Sequence, residues 1–178
     1  MAILNLDTFT TPRLSAERLT SAHRKEIARM HRDPSVMEHL GGVRDADQTR
    51  EYLDRNLAHW ERYGYGLWIL RGTVGGEVIG RAVLRHLILD GRDEIETGYA
   101  FYPPYWGRGL ATEVARTCVE MGFTLLGAPS VVGLTLPANL ASQRVLTKAG
   151  MSRDGEVQHA GSLHVLLRVT RPVWAATG

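Results

Sequence analysis

The sequence is poor in the residues that build covalent and metal frameworks. Cys118 is its one cysteine. An internal disulfide is excluded, and so is a thiolate metal cluster. The seven histidines show no zinc-ligand spacing, so no metal is expected. Lysine is nearly missing: Lys25 and Lys148 are the two occurrences, and arginine carries the remaining positive charge. The charge surplus is only +2, too little to draw the chain to nucleic acid. No apolar run approaches the ~20 residues that span a bilayer. The start, MAILNLDTF, has no basic n-region and no adequate apolar stretch, so it does not read as a secretory signal. A soluble cytoplasmic protein is expected, with no membrane or nucleic-acid partner.

What is present is globular. Apolar residues make up 44% and charged residues 22% of 178 residues, which excludes disorder and suits one domain with a substantial core. The N-terminal part is mostly helical. LSAERLT is a first strand. A helix over about 22–31 follows, capped by Thr20 or Ser21, and Asp33-Pro34 opens a short turn carrying Val36, Met37 and Leu40. Asp45 or Asp47 caps a longer helix in which Tyr52, Leu53, Leu57 and Trp60 recur at helical spacing. Strands come next. LWILRG and GGEVIGRAVLRHLIL precede the turn signal Asp90-Gly91. EIETGYAFY then alternates, with Ile95, Thr97, Tyr99 and Phe101 on one face and Glu96, Gly98, Ala100 and Tyr102 on the other. Pro103 and Pro104 must stop the pairing, because proline has no N–H to donate.

An amphipathic helix follows Gly109, with Leu110, Val114, Cys118, Met121 and Leu125 as one stripe. SVVGLTL is a buried strand. The helix before it makes it parallel to EIETGYAFY. Asn139 starts a second helix, closed by Gly150. MSRDGEVQH and SLHVLLRVT form a last hairpin around Ala160-Gly161. The expected fold class is mixed α/β: a mostly antiparallel twisted sheet with helices on both faces.

The stretch PPYWGRGLATEVA sets free backbone N–H groups and a helix N-terminus at one point. That geometry suits an anion such as a phosphate; a tight turn made of small residues is the alternative. A nucleoside-triphosphate loop is excluded, since Leu110-Ala111-Thr112 stands where Gly-Lys-Ser/Thr is needed. A nicotinamide fingerprint is excluded too: Thr112 replaces its third glycine, and GAPSVVGLTLPANL holds no acid.

ETGYAFYPPYWGRGLATEVA and the downstream LPANLASQRVLTKAGM resemble the GCN5-related N-acetyltransferases (GNAT). They are closest to the RimJ/RimL-type branch that acetylates ribosomal-protein N-termini. RDPSVMEHLGG, AHWERYGYGLWIL and EVIGRAVL fit that branch as well. The resemblance covers about 12–169 of a single domain taken as 1–178. It implies that the strands EIETGYAFY and SVVGLTL splay, and that acetyl-CoA enters between them. The pantetheine arm would pair with the first strand. The pyrophosphate would rest on Gly107, Arg108, Gly109, Leu110, Ala111 and Thr112. Trp106 stands where the family's turn usually begins with Gln or Arg.

The resemblance also supplies candidate roles. Phe101 or Tyr102 would give the backbone N–H for the thioester oxyanion. Glu96 matches a strand glutamate that accepts the amine proton through water; an ion pair with Arg81 or Arg85 is the structural alternative. Asn139 is a natural N-cap and also matches an asparagine that bonds the pantetheine. Ser142 matches a serine near the sulfur, while the family's tyrosine acid is replaced by Leu146. Cys118 reads as core rather than as a covalent acetyl carrier. His31 and His39 border a possible substrate mouth. Trp60, Tyr63, Tyr65 and Trp68 seal the join of helix and sheet. The expected activity is acetyl transfer from acetyl-CoA to a primary amine, foremost a protein or peptide N-terminus, by a monomer or homodimer. A small-molecule acceptor (antibiotic, polyamine or amino acid) and a non-catalytic acyl-CoA-binding module are the alternatives.

Overall fold

Two left-handed dipeptides set the hairpins that organise the sheet. Asp90 and Gly91, at φ 47° and 76°, join β4 (Val78–Leu89) to β5 (Arg92–Phe101). Ala160 and Gly161, at φ 50° and 78°, join β7 (Ser152–His159) to β8 (Ser162–Thr170). Such turns match the twist of paired strands. The computed structural model describes residues 5–176. Residues 1–4, part of the start read against a secretory signal, and residues 177–178 lie outside the described residues.

The remaining strands are β1 (Thr8–Thr10), β2 (Leu14–Arg18), β3 (Leu67–Gly72) and β6 (Ser130–Thr135). All eight form one sheet in the order β1-β2-β3-β4-β5-β6-β8-β7. Every pairing is antiparallel except β5 with β6. The three-residue β1 and a closing helix, α6 (Arg171–Ala175), carry too little pattern to be expected from sequence.

Helices cover both faces. In α1 (Arg24–His31), α2 (Pro34–Met37) and α3 (Ala46–Tyr63), apolar spacing selects the buried side. Asp33 caps α2 through the N–H groups of Ser35 and Val36. Asp45 caps α3 by accepting from the Gln48 N–H at 2.8 Å. Met30, Val36 and Met37 pack on Ala100 of β5 and on Tyr102 just beyond it. α4 (Leu110–Thr124) lies on the opposite face, where Cys118 meets Thr97. Leu110, Val114, Cys118 and Met121 are buried as their stripe requires. Leu125 is not: it lies just past the last turn of α4 and is 42% exposed. α5 (Leu140–Lys148) follows β6. Trp60 and Trp68 are fully buried and meet edge to face. The Trp60 indole N–H finds its partner in the Leu67 carbonyl at 2.9 Å.

Candidate active site

The parallel junction of β5 and β6 is a single residue pair, Glu96 with Val132. Beyond it the two strands part. The ladder between β4 and β5 sets which backbone groups face the opening. Tyr102 donates its N–H to Ile79 at 3.0 Å, so Tyr102 and Ile79 form a hydrogen-bonded pair. Antiparallel residues alternate, so Tyr99 and Phe101 turn their N–H groups away from β4 and toward the gap. Of the two donors expected from sequence, Phe101 therefore faces the gap. The N–H of Tyr102 is already engaged.

The glycine turn sits at the mouth of that gap. Pro103–Tyr105 forms a 3-10 turn after β5. The Trp106 indole N–H reaches back to the Phe101 carbonyl at 2.7 Å and fixes the chain's exit. Gly107 and Gly109 are both left-handed, at φ 71° and 78°, a conformation that L side chains adopt at a cost. A Cβ at Gly107 would touch nothing, and one at Gly109 would lie 3.5 Å from Arg13 Nη2. The space above the turn is open. Gly109 is the N-cap of α4 and has no side chain to satisfy the first-turn N–H groups.

Arg13 holds this turn from a distance of a hundred residues in sequence. Its Nη1 donates to the Arg108 carbonyl at 2.7 Å. Its Nε and Nη2 bond Glu113 Oε2 at 2.8 and 2.6 Å. Its backbone N–H and the Thr11 hydroxyl bond Glu113 Oε1. Burial acts to raise the Glu113 pKa, but the bonds from Thr11 and Arg13 prevail and hold it low. A carboxylate in the first turn of α4 is thereby neutralised, and the helix end stays receptive to an anion. Sequence reasoning missed Arg13 and Glu113, because nothing local couples them.

α5 brings a second set of groups to the opening. Asn139 caps it, accepting from the Ser142 N–H at 3.1 Å. The Ser142 hydroxyl lies 3.0 Å from the Tyr99 hydroxyl. Burial pushes the Tyr99 pKa far up, against the bond from Ser142, so the phenol keeps its proton. Sequence reasoning does not single out Tyr99 as a site residue; the alternation of β5 places it on one face and no more. Leu146 is buried against Gly133.

Glu96 lies on the other face of β5, with side chain 7% exposed and bonded to Arg85 Nε. The sequence offered Arg81 or Arg85 as a partner, and Arg85 is the one taken. His159, at the end of β7, feels both charges. Cys118 is fully buried, and burial drives its thiol up to about 12; a thiolate nucleophile is unavailable there. His31 is buried between α1 and α3, with Nδ1 3.0 Å from Thr49 Oγ1. His39 lies half-buried in the turn after α2. Among the described residues, no three His, Cys, Asp or Glu side chains converge as a metal site, and no helix is long and apolar enough to cross a membrane.

Known proteins share this design. The family model for the acetyltransferase (GNAT) domain matches residues 13–152. Uncharacterized protein YkkB of Bacillus subtilis is 36% identical over 119 residues, covering 67% of this chain and 69% of its own. The FsC-acetyl coenzyme A-N(2)-transacetylase of Aspergillus fumigatus is 29% identical, covering 97% of this chain and 83% of its own. The aminoglycoside acetyltransferase AAC(6')-Ib, solved in complex with coenzyme A, shares the fold at a TM-score of 0.75 and 20% identity, covering 92% of this chain and 98% of that one. With the splayed strands and the glycine turn in place, the chain belongs to the GNAT acetyltransferase family and is an acetyl-CoA-dependent N-acetyltransferase.

Proposed function

We propose that the chain transfers an acetyl group directly to an α-type primary amine that approaches over the Glu96, Gly98 and Ala100 face of β5. The observation that carries this reading is the single-pair junction of β5 and β6, which leaves the Tyr99 and Phe101 N–H groups facing a gap beside the glycine turn. The open space over Gly107 and Gly109 fits a pyrophosphate approaching the backbone closely. When bound, acetyl-CoA supplies the acetyl thioester. Gly107, Arg108, Gly109, Leu110, Ala111 and Thr112 hold its pyrophosphate. Phe101 pairs with the pantetheine arm, and Asn139 adds a bond to that arm while capping α5. The Tyr99 N–H, two residues nearer Glu96, stabilises the oxyanion as charge develops. Tyr102 is set aside as a donor, since Ile79 already holds its N–H.

Ser142 donates a hydrogen bond to the departing sulfur and accepts one from the Tyr99 hydroxyl, which keeps its proton. Coenzyme A leaves as the thiolate, and the proton taken from the amine passes through Glu96 and water to neutralise it. Free thiols have a pKa near ~8.5, so a donor suffices and a strong acid is not needed. Glu96 accepts the amine proton through water, and Arg85 fixes its orientation. An α-amine suits such a site. Its pKa near ~8 leaves far more neutral amine at pH 7 than lysine's ~10.4.

Two sources of the amine are open to experiment. The resemblance of the turn to the RimJ/RimL branch supports a protein N-terminus. The names of the fungal transacetylase and of the aminoglycoside enzyme support a small molecule. Release of free coenzyme A, measured across peptides, amino acids, polyamines and aminoglycosides, tests the proposal. Turnover with α-amines above side-chain amines is expected. Acetyl-CoA binding without turnover of any amine would make the chain a binding module instead.

A further inference from the structure

The face of β5 that carries Glu96 is surrounded by guanidinium groups. Arg55, Arg81 and Arg85 all lie within electrostatic reach of Arg44. Glu96 is already bonded to Arg85. Arg81 stands apart. It is 7% exposed, its Nε is buried without a hydrogen-bond partner, and its side chain makes no hydrogen bond or ion pair among the described residues. Its guanidinium lies over the Tyr52 ring at 5.3 Å, and that of Arg44 lies over the same ring at 4.8 Å. Stacking on a ring offsets only part of what a guanidinium loses on leaving water.

Among the described residues no carboxylate forms an ion pair with Arg81 or Arg44. Arg44 donates to His31 Nε2 and to the Leu40 carbonyl, both at 3.3 Å. Burial, then the charges of Arg44 and Arg81, hold His31 down at about 3. The histidine is therefore neutral, and the field at this spot is positive. In the ladder Arg81 faces Ala100 and Arg85 faces Glu96. All four side chains share one face of the sheet, with the bare backbone of Gly98 between them. The arrangement has a carboxylate at one end and an unpaired cation at the other.

Resting on the acetyl-transfer reading above, we propose that the acceptor amine carries an oxyanion of its own, and that Arg81, assisted by Arg44, binds that oxyanion while the amine faces Glu96. The class is a carboxylate-bearing amine: a free amino acid, or a peptide N-terminus followed by an acidic residue. Polyamines and aminoglycosides would be repelled by the same arginines.

The test uses pairs of amines with and without the anion: amino acids against their carboxamides, and seryl-aspartate amide against seryl-asparagine amide, with KM expressed per neutral amine because an adjacent carboxylate raises the amine pKa. Wild type should show at least a ~10-fold lower KM for the anionic member of one pair, on the usual scale of a charge-assisted bond. The pair that responds identifies the source of the carboxylate. Arg81→Met should abolish the preference, and Arg81→Lys should restore part of it. Arg81→Met should also melt no lower than wild type, since it removes an unpaired buried charge and keeps the chain length. Calorimetry should give Arg81→Met an unchanged affinity for acetyl-CoA. Equal KM values within both pairs, or a preference for cationic amines, overturn the proposal while leaving the acetyltransferase intact. So does an Arg81→Met enzyme that keeps the preference, or one that loses acetyl-CoA. If wild type failed to bind acetyl-CoA, the acetyl-transfer reading itself would fall. The same pairs titrated into the protein alone would then decide the Arg81 site, with equal affinities counting against it.

Discussion

Gly109 lets strain and binding be measured separately. It is left-handed, at φ 78°, and has open space around its Cα apart from Arg13 Nη2 at 3.5 Å from a Cβ. Replacement by Asn or Asp therefore meets no clash inside the protein. Its cost to folding is the backbone penalty, about 1–2 kcal/mol for an ordinary L residue and less for these two. For a chain of this size that lowers Tm by about 2–4 °C per kcal/mol. Binding should suffer far more. The new side chain fills the volume through which a pyrophosphate reaches the α4 N–H groups. Asp adds a charge roughly 5 Å from a phosphate, worth about 1–3 kcal/mol per phosphate charge at effective dielectric constants between water and a protein surface. Gly109→Asp should bind acetyl-CoA about 10- to 100-fold more weakly than Gly109→Asn, with both well below wild type. Isothermal titration gives the affinities, and differential scanning calorimetry gives the melting points. Wild-type affinity in Gly109→Asp would refute the phosphate-turn assignment. Equal affinity of the two variants would refute the electrostatic part alone.

Other expectations follow from the same geometry. Glu96→Gln should slow turnover at neutral pH by roughly 100-fold if Glu96 is the base, with the deficit shrinking as pH rises; a lower Tm with an unchanged pH–rate profile would leave it as the partner of Arg85. Ser142→Ala and Tyr99→Phe should each lower kcat at every pH, and their double variant should lose less than the sum, because the hydroxyls are bonded to each other. Strict additivity in that cycle would separate them. Cys118→Ala should keep turnover within a few-fold of wild type, and an acetylated Cys118 trapped during turnover would contradict direct transfer. His31 has a folded-state pKa of about 3, depressed below 6.5. Its contribution to stability is thus full above about 6.5 and is lost as pH falls toward 3, at up to ~1.4 kcal/mol per pH unit. Chemical denaturation at pH 7 and pH 5 should show a smaller acid loss in His31→Gln than in wild type.

Local chemistry made most of the scaffold readable. The Asp90-Gly91 turn, the alternation of β5, the proline pair and the apolar stripe of α4 each act over a few residues, and the structure follows them. Leu125 departed from the stripe because the helix ends one residue before it. The long-range couplings stayed hidden. Arg13 and Glu113 look like surface charges in sequence, yet they fix the glycine turn together. Tyr99 is only one position in an alternating strand by sequence, and the approach of α5 brings its hydroxyl to Ser142. Arg81 alternates with apolar residues as an exposed strand arginine would. Its burial beneath Tyr52 depends on how α3 crosses the sheet.

The single bridge between β5 and β6 also divides the sheet mechanically. On one side stand five strands, β1 to β5; on the other stand β6, β8 and β7. One backbone pair, the Arg168–Glu94 ion pair between β8 and β5, the small apolar cluster of Leu89, Val132 and Val157 and the underside supplied by α4 tie the two blocks. A molecule seated in the gap and bonded to both lips would act as a splint. Amide hydrogen exchange should then proceed at separate rates in the two blocks of the free protein and converge once the gap is filled. Occupancy of the cleft and cooperativity of unfolding would become one and the same measurement.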